Sequence, residues 1–149
     1  MAYSGNYKEI RFRSILELSV IRHFEKQGFV LGQDMFYESV AIQYGKKKIR
    51  NYIVDLSFPK DKLLVEIKPS SRADNKNNKI KREAAEKWCS ENGWTYVIIT
   101  EEELKQCDEV LTLIEAAKIN DVKLGERSKR ALRKIESKKK RKEKKNEKK

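Results

Sequence analysis

Asp55-Leu56-Ser57-Phe58-Pro59-Lys60-Asp61-Lys62-Leu63-Leu64-Val65-Glu66-Ile67-Lys68 is the stretch whose reading decides the fold. An aspartate lies within one apolar run; a short Pro-containing turn follows; a second apolar run then delivers a glutamate and a lysine two residues apart. In a β-strand, residues i and i+2 share a face, so Glu66 and Lys68 project together while Leu63, Val65 and Ile67 point the other way into a core. If the two runs pair as a hairpin, Asp55 lies beside Glu66, and one patch of sheet carries two carboxylates and an ammonium. Two carboxylates so placed repel one another unless a cation sits between them. An oxygen-only site built from two acids suits Mg²⁺, which keeps several waters and accepts phosphate oxygens as further ligands. The expected chemistry is metal-assisted phosphodiester hydrolysis.

Working outward, Ser14-Ile15-Leu16-Glu17 has the form of a helix capping box, and Leu16, Val20 and Phe24 continue it at helical spacing. The helix is expected to run to about Gln27 and to stop at Gly28. Residues 36–44 alternate apolar and polar, and Gly45-Lys46-Lys47 marks a turn. Strands are then expected over 48–58 and 63–68, with Pro69 ending the second. Ile80, Ala84 and Trp88, with Ala85 and Cys89, predict an amphipathic helix over about 78–92, closed by Asn92-Gly93. Residues 94–99 read as a buried strand reached by a crossover, hence parallel to 63–68. Thr100 caps an expected helix from Glu101 to about Ile119. The order is α–β–β–β–α–β–α, an α/β fold with a mixed sheet flanked by helices.

The 149 residues suit one modest domain, preceded by an arm (1–13) and followed by a tail (126–149). The net charge of +12 is concentrated at one end: 14 Lys/Arg against 4 Glu lie in 126–149, leaving 21 against 19 in the rest. In that tail, helical or disordered, only Ala131, Leu132 and Ile135 are apolar, too little surface to fold alone. It is either a solubility appendage or a source of salt-sensitive affinity for a polyanion, with acidic surfaces and RNA as open as DNA. Cys89 and Cys107 fit neither a metal spacing nor a disulfide framework, which favours a reducing compartment. No apolar run is long enough to cross a bilayer and no signal-peptide core is present.

On the strength of Met1-Ala2-Tyr3-Ser4-Gly5, Phe12-Arg13-Ser14 with Glu17, Arg50-Asn51-Tyr52-Ile53-Val54-Asp55, Val65-Glu66-Ile67-Lys68-Pro69 and Gly93 to Glu102, the chain resembles the PD-(D/E)xK nuclease superfamily. It is most similar to the head-completion nucleases of tailed bacteriophages. The likeness covers roughly the first 105 residues; Val54-Asp55 stands where the superfamily has Pro-Asp, and the tail lies outside it. The resemblance implies a restriction-endonuclease-like α-β-β-β-α-β core. It implies that Asp55 and Glu66, with the Ile67 carbonyl, hold Mg²⁺ (Mn²⁺ as substitute), and that Lys68 orients or deprotonates the attacking water. Glu17 matches a helix acid that reaches the same ion, although the capping box explains it equally well. The implied partners are DNA and phage capsid or portal components; the implied setting is the cytoplasm of an infected host, or the virion.

Arg13, Lys76, Lys79, Lys81 and Arg82 are candidate phosphate contacts, as are Arg127, Lys129, Arg130, Arg133 and Lys134 in the tail. His23, the only histidine, has no nucleophile to serve, and Trp88 reads as core. No helix carries a base-reading set of Arg, Asn and Gln, which argues against sequence specificity. The leading expectation is an endonuclease acting on DNA ends or at head completion after packaging. The alternatives are a structure-selective or transposase-type nuclease, and a non-catalytic DNA-binding or capsid-associated protein on a nuclease scaffold.

Overall fold

The computed structural model describes residues 2–72 and 75–147. Met1, Ala73, Asp74, Lys148 and Lys149, which the expected arm, loop and tail include, lie outside them. The chain divides into two units, Ser19–Val110 and a second made of Met1–Leu18 with Leu111–Lys149. Helix α1 (Ile15–Lys26) begins in one and ends in the other.

The Ser19–Val110 unit is built on a four-stranded sheet in the order β3-β4-β5-β6, comprising β3 (Phe36–Tyr44), β4 (Arg50–Phe58), β5 (Leu63–Ile67) and β6 (Thr95–Ile99). The β4–β5 hairpin is antiparallel and pairs Leu56 with Val65, Ser57 with Leu64 and Phe58 with Leu63. Its turn is a single 3-10 turn, Pro59–Asp61, closed by Lys62 in the left-handed conformation and braced by Lys60 Nζ on Asp34 Oδ1 at 2.8 Å. Strand β6 runs parallel to β5 in unbroken register, as a helical crossover requires. That crossover is α2 (Lys76–Asn92), started by Asn75, whose side chain accepts from Asn77 N, and ended by Gly93 at φ 72.

Helix α2 buries Ala85 and Cys89 against Ile42, Tyr52, Val54 and Leu64, with Trp88 and Trp94 packed edge-on beside them. A second cluster joins Phe24 of α1 to Phe29 and Phe58, with ring centroids 4.8 Å apart for Phe24 and Phe58. Leu64 shares the Glu66 face of β5, yet it is buried along with Val65 and Ile67. Strands β4 and β6 pair with the two edges of β5, α2 covers its Leu64 face, and Val65 and Ile67 are buried on the opposite face. Truncating Leu64 to Ala there would cost about 2–5 kcal/mol.

Two expectations are corrected, the first in the other unit and the second across the 110/111 boundary. Residues 5–7 and 10–12 are not an irregular arm but strands β1 (Gly5–Tyr7) and β2 (Ile10–Phe12). They form a three-stranded antiparallel sheet with β7 (Val122–Leu124), in the order β2-β1-β7. Tyr7, Phe12 and Leu124 are buried, while Asn6, Arg11 and Lys123, aligned across the three strands, face out. The expected helix over 101–119 is two short ones, α3 (Glu101–Lys105) and α4 (Leu113–Ala117), each with its own capping box, Thr100/Glu103 and Thr112/Glu115. The second box restarts the chain as a new helix, since a Thr hydroxyl that caps an N-terminus is taken by exposed N–H groups.

Residues 126–147 form one helix, α5, tied at its start by Ser128 Oγ donating to Ser4 O at 2.8 Å and Gly125 N to the same oxygen at 3.0 Å. Those bonds and the buried Ser128 supply an anchor that apolar content alone did not suggest.

Gly5 is required by close approach: a Cβ there would meet Lys123 O and the Phe12 ring at 2.7 Å. Gly5→Ala is predicted to destabilise the protein by about 1–3 kcal/mol, the usual cost of overpacking, read as a lowered melting temperature. An unchanged melt would mean that the β1–β7 sheet gives way at no cost.

Candidate active site

Continuing the β4–β5 register by one pair sets Asp55 opposite Glu66. The side chain shows this directly, because Asp55 Oδ2 accepts the Ile67 N–H at 2.8 Å. The carboxylate thus takes the place of a backbone rung at the end of the hairpin. Across β4, the β3 register shifts between Tyr37 and Val40, so Glu38 and Ser39 together oppose Asp55. Glu38 has φ 50 and Ser39 Oγ lies 2.6 Å from Ser57 Oγ. A bulge of this kind bends its strand and re-aims neighbouring side chains.

Glu66 is 6 % exposed and its Oε2 is fully buried. A carboxylate held in such a place is costly unless positive charge lies close by. Lys68 provides it. Its N–H extends the parallel ladder to Ile99 O at 3.0 Å, after which Pro69 can donate nothing. Burial pulls the Lys68 ammonium below the ordinary lysine range and Lys81 pulls the same way, while Glu66 and Asp55 push it back up. So the three side chains expected to share one patch lie within each other's fields. Tyr96 belongs to the same surroundings: burial first, then Glu66 and Asp55, holds its phenol well above the usual value, and its hydroxyl meets Tyr52 Oη at 2.9 Å.

Two supporting residues were not anticipated. Asn78, in the first turn of α2, accepts from Lys68 Nζ at 2.5 Å and donates to Arg72 O at 2.7 Å, linking the lysine to the turn after it. Glu101 accepts the Ser70 N–H at 2.9 Å and the Ser70 hydroxyl at 2.5 Å, which pins that turn to the start of α3. Neither had a sequence signal beyond a polar residue near a helix start.

The other candidates fall as follows. Lys76 and Lys79 are exposed on α2; Lys81 Nζ lies 5.7 Å from the centre of the Tyr52 ring; Arg82 pairs with Glu86 at 3.9 Å. His23, which has no nucleophile to serve, is half-buried and bonded to Glu109 and Gln27. In the other unit Glu17 is buried and works as a cap: its N–H donates to Ser14 Oγ at 3.1 Å and its carboxylate receives the Ser14 hydroxyl and, at 3.5 Å, the Arg13 N–H. Arg127, Lys129, Arg130, Arg133 and Lys134 are exposed on α5.

Among the described residues no group of three or more His, Cys, Asp and Glu is gathered as a metal-ligand cluster. Asp55 and Glu66 are a two-carboxylate set. A cavity of about 680 Å³ between β3 and α2 is lined by Ile42, Tyr44, Ile80 and Trp88 and contains none of the three site residues. Its polar lining, Gln43, Glu83, Lys87 and Glu91, comes from β3 and α2 and not from the end of β5.

Residues 21–101, just over half of the chain, match the family described as TnsA-like endonuclease N terminal. The chain belongs to that family. It is a restriction-endonuclease-like nuclease family of the PD-(D/E)xK kind, and the matched segment spans β3 through β6 with α2, hence Asp55, Glu66 and Lys68. The mixed four-stranded sheet flanked by helices agrees with that fold. Membership in an endonuclease family implies DNA as the substrate. No curated protein and no solved structure gives a significant match. Among the described residues no helix is long and apolar enough to cross a membrane.

The Glu101–Ser70 contact carries a pH prediction. The Ser70 hydroxyl bond, above all, holds the Glu101 carboxyl below its ordinary 4.5. A depressed acid stabilises the fold above its unfolded value, and that contribution is lost as pH falls through the lower folded value. The melting temperature of Glu101→Gln is therefore predicted to approach that of the wild type as pH drops below 4.5, having been lower at pH 7. A gap constant with pH would remove the carboxylate from the account.

Proposed function

We propose that this TnsA-like family member is a Mg²⁺-dependent DNA endonuclease of low sequence specificity whose chemistry sits on Asp55, Glu66, Ile67 and Lys68. The observation that carries the reading is the Asp55 carboxylate held on the Ile67 N–H, opposite a buried Glu66 and beside Lys68. The donor set fits a hard divalent cation: two carboxylates and the Ile67 carbonyl leave the remaining positions to water and phosphate. Mn²⁺ is the expected substitute. When bound, the ion supplies Lewis-acid polarisation of the phosphodiester.

The chain's own residues do the rest. Asp55, fixed by its backbone bond, and Glu66, fixed by burial, hold their oxygens in place without reorganisation. Lys68 is steadied by Asn78 and faces the same patch. It orients the attacking water or takes its proton, and offers positive charge where the phosphate gains negative charge.

At the finer level, we place the activity at DNA ends, at the completion of a phage head, with capsid or portal components as partners. Support comes from the motif set Tyr3-Ser4-Gly5, Phe12-Arg13-Ser14 and Arg50 to Asp55. The family match supports a second reading, a transposase-type cleavage subunit.

Plasmid nicking in Mg²⁺ and in EDTA tests the common core. Lys68→Ala and Asp55→Asn are each predicted to slow cleavage by about 100-fold or more, the scale seen when one transition-state charge contact is lost. DNA retardation without cleavage in any divalent metal would establish a binding protein instead. Faster attack on linear than on closed circular DNA supports the end-processing reading; cleavage only at defined paired ends supports the transposase-type one.

A further inference from the structure

The two units differ sharply in charge. Ser19–Val110, which holds Asp55, Glu66 and Lys68, carries 16 Lys/Arg against 15 Asp/Glu, a net of +1. The unit of Met1–Leu18 and Leu111–Lys149 carries 19 against 8, a net of +11. Nearly all of the protein's net charge thus belongs to a folded unit outside the one that bears the proposed chemistry, and most of it is on α5.

Helix α5 has 22 residues, a rod of about 33 Å. Its first turns are fixed: Ser128 is buried, and Ala131 and Leu132 are half-buried. From Arg133 to Glu147 every residue is exposed, and this stretch holds 9 Lys/Arg and 3 Glu. Lys134/Lys138, Lys138/Lys142, Lys140/Lys144 and Arg141/Lys145 are like-charge pairs at i, i+4, each unfavourable for a helix. A helix with no apolar face past its anchor needs its charge answered from outside.

At 3.6 residues per turn the nine cations spread over more than half of the circumference, whereas Glu136, Glu143 and Glu147 (i, i+7, i+11) share one narrow stripe. A flat acidic surface would use only one side of such a rod. A groove with phosphates on both walls uses most of it. The helix diameter, about 10–12 Å with side chains, matches the major groove at about 12 Å, and the exposed stretch from Arg133 to Glu147, about 22 Å long, covers roughly two-thirds of one duplex turn of about 34–36 Å. Seven of the nine cations are lysines, point charges without the planar fork that reads a base bidentately.

We infer that α5 from Arg133 onward is a duplex-DNA grip, lying in the major groove and holding phosphates on both walls without reading sequence, with the glutamate stripe turned outward. This rests on the endonuclease reading for the choice of DNA and gives it a holding element separate from its chemistry.

The test compares the full chain with a variant carrying Lys138→Gln, Lys139→Gln, Lys140→Gln, Arg141→Gln and Lys142→Gln. Gln keeps helix propensity, and equal melting temperatures check the fold. Binding to a labelled 20-base-pair duplex, to one of its strands and to heparin is followed by fluorescence anisotropy across a salt series in EDTA. Each phosphate contact contributes about 0.9 to the slope of log K against log salt on duplex DNA. The duplex slope is predicted to fall by at least about 2, with a smaller change on the single strand and on heparin. An unchanged duplex slope would overturn the grip, and an equal fall on all three polyanions would overturn its assignment to the groove. Because EDTA removes cleavage from the measurement, failure here leaves the nicking result standing. Failure of nicking leaves the salt slope standing.

Discussion

A carboxylate is buried inside the central strand of the sheet, and the surrounding structure has to compensate for it. Glu66 stands among Leu64, Val65 and Ile67, where an unanswered charge would be strongly unfavourable. The hairpin answers by geometry. Asp55 takes the Ile67 N–H, the bulge in β3 lies across from it, and Lys68 follows immediately on β5 before Pro69 stops the strand. Lys68 is attracted by both acids yet kept partly out of water, so its charge is held at a cost. On the proposed reading, an arrangement that brings two acids together at a strand end gives up stability for a place that would take a cation and a phosphate.

How much of this was legible depends on how local the signal is. Residues 36–44, the hairpin, α2 and the parallel β6 follow from period-2 and period-3.6 patterns in contiguous segments, and they stand where those patterns put them. Strands β1 and β2 did not show, because three residues each give no period and their stability comes from β7, more than a hundred residues away. The break between α3 and α4 was written in Thr112 and Glu115 as a second capping box, a signal outweighed by the apolar run around it.

At the site, the nearness of Asp55, Glu66 and Lys68 could be read from strand alternation plus a hairpin. The burial of Glu66 could not, because it depends on β5 being an interior strand with α2 packed on the face that Leu64 shares with Glu66. Glu101 was invisible for a similar reason, since only the crossover brings it to Ser70, whereas Asn78 reaches Lys68 and Arg72 across the irregular turn into α2, which carries no periodic signal. Glu17 shows the opposite limit. Its capping box was plain in the sequence, and the described contacts of its carboxylate are those of a cap.

The most direct test of the central claim is the anomalous-scattering signal of Mn²⁺ soaked into crystals of the full chain. The account predicts an ion ligated by carboxylate oxygens of both Asp55 and Glu66, and its loss in Asp55→Asn. An ion bound elsewhere, or no ion while Lys68 closes on both carboxylates as a sealed salt bridge, would contradict it.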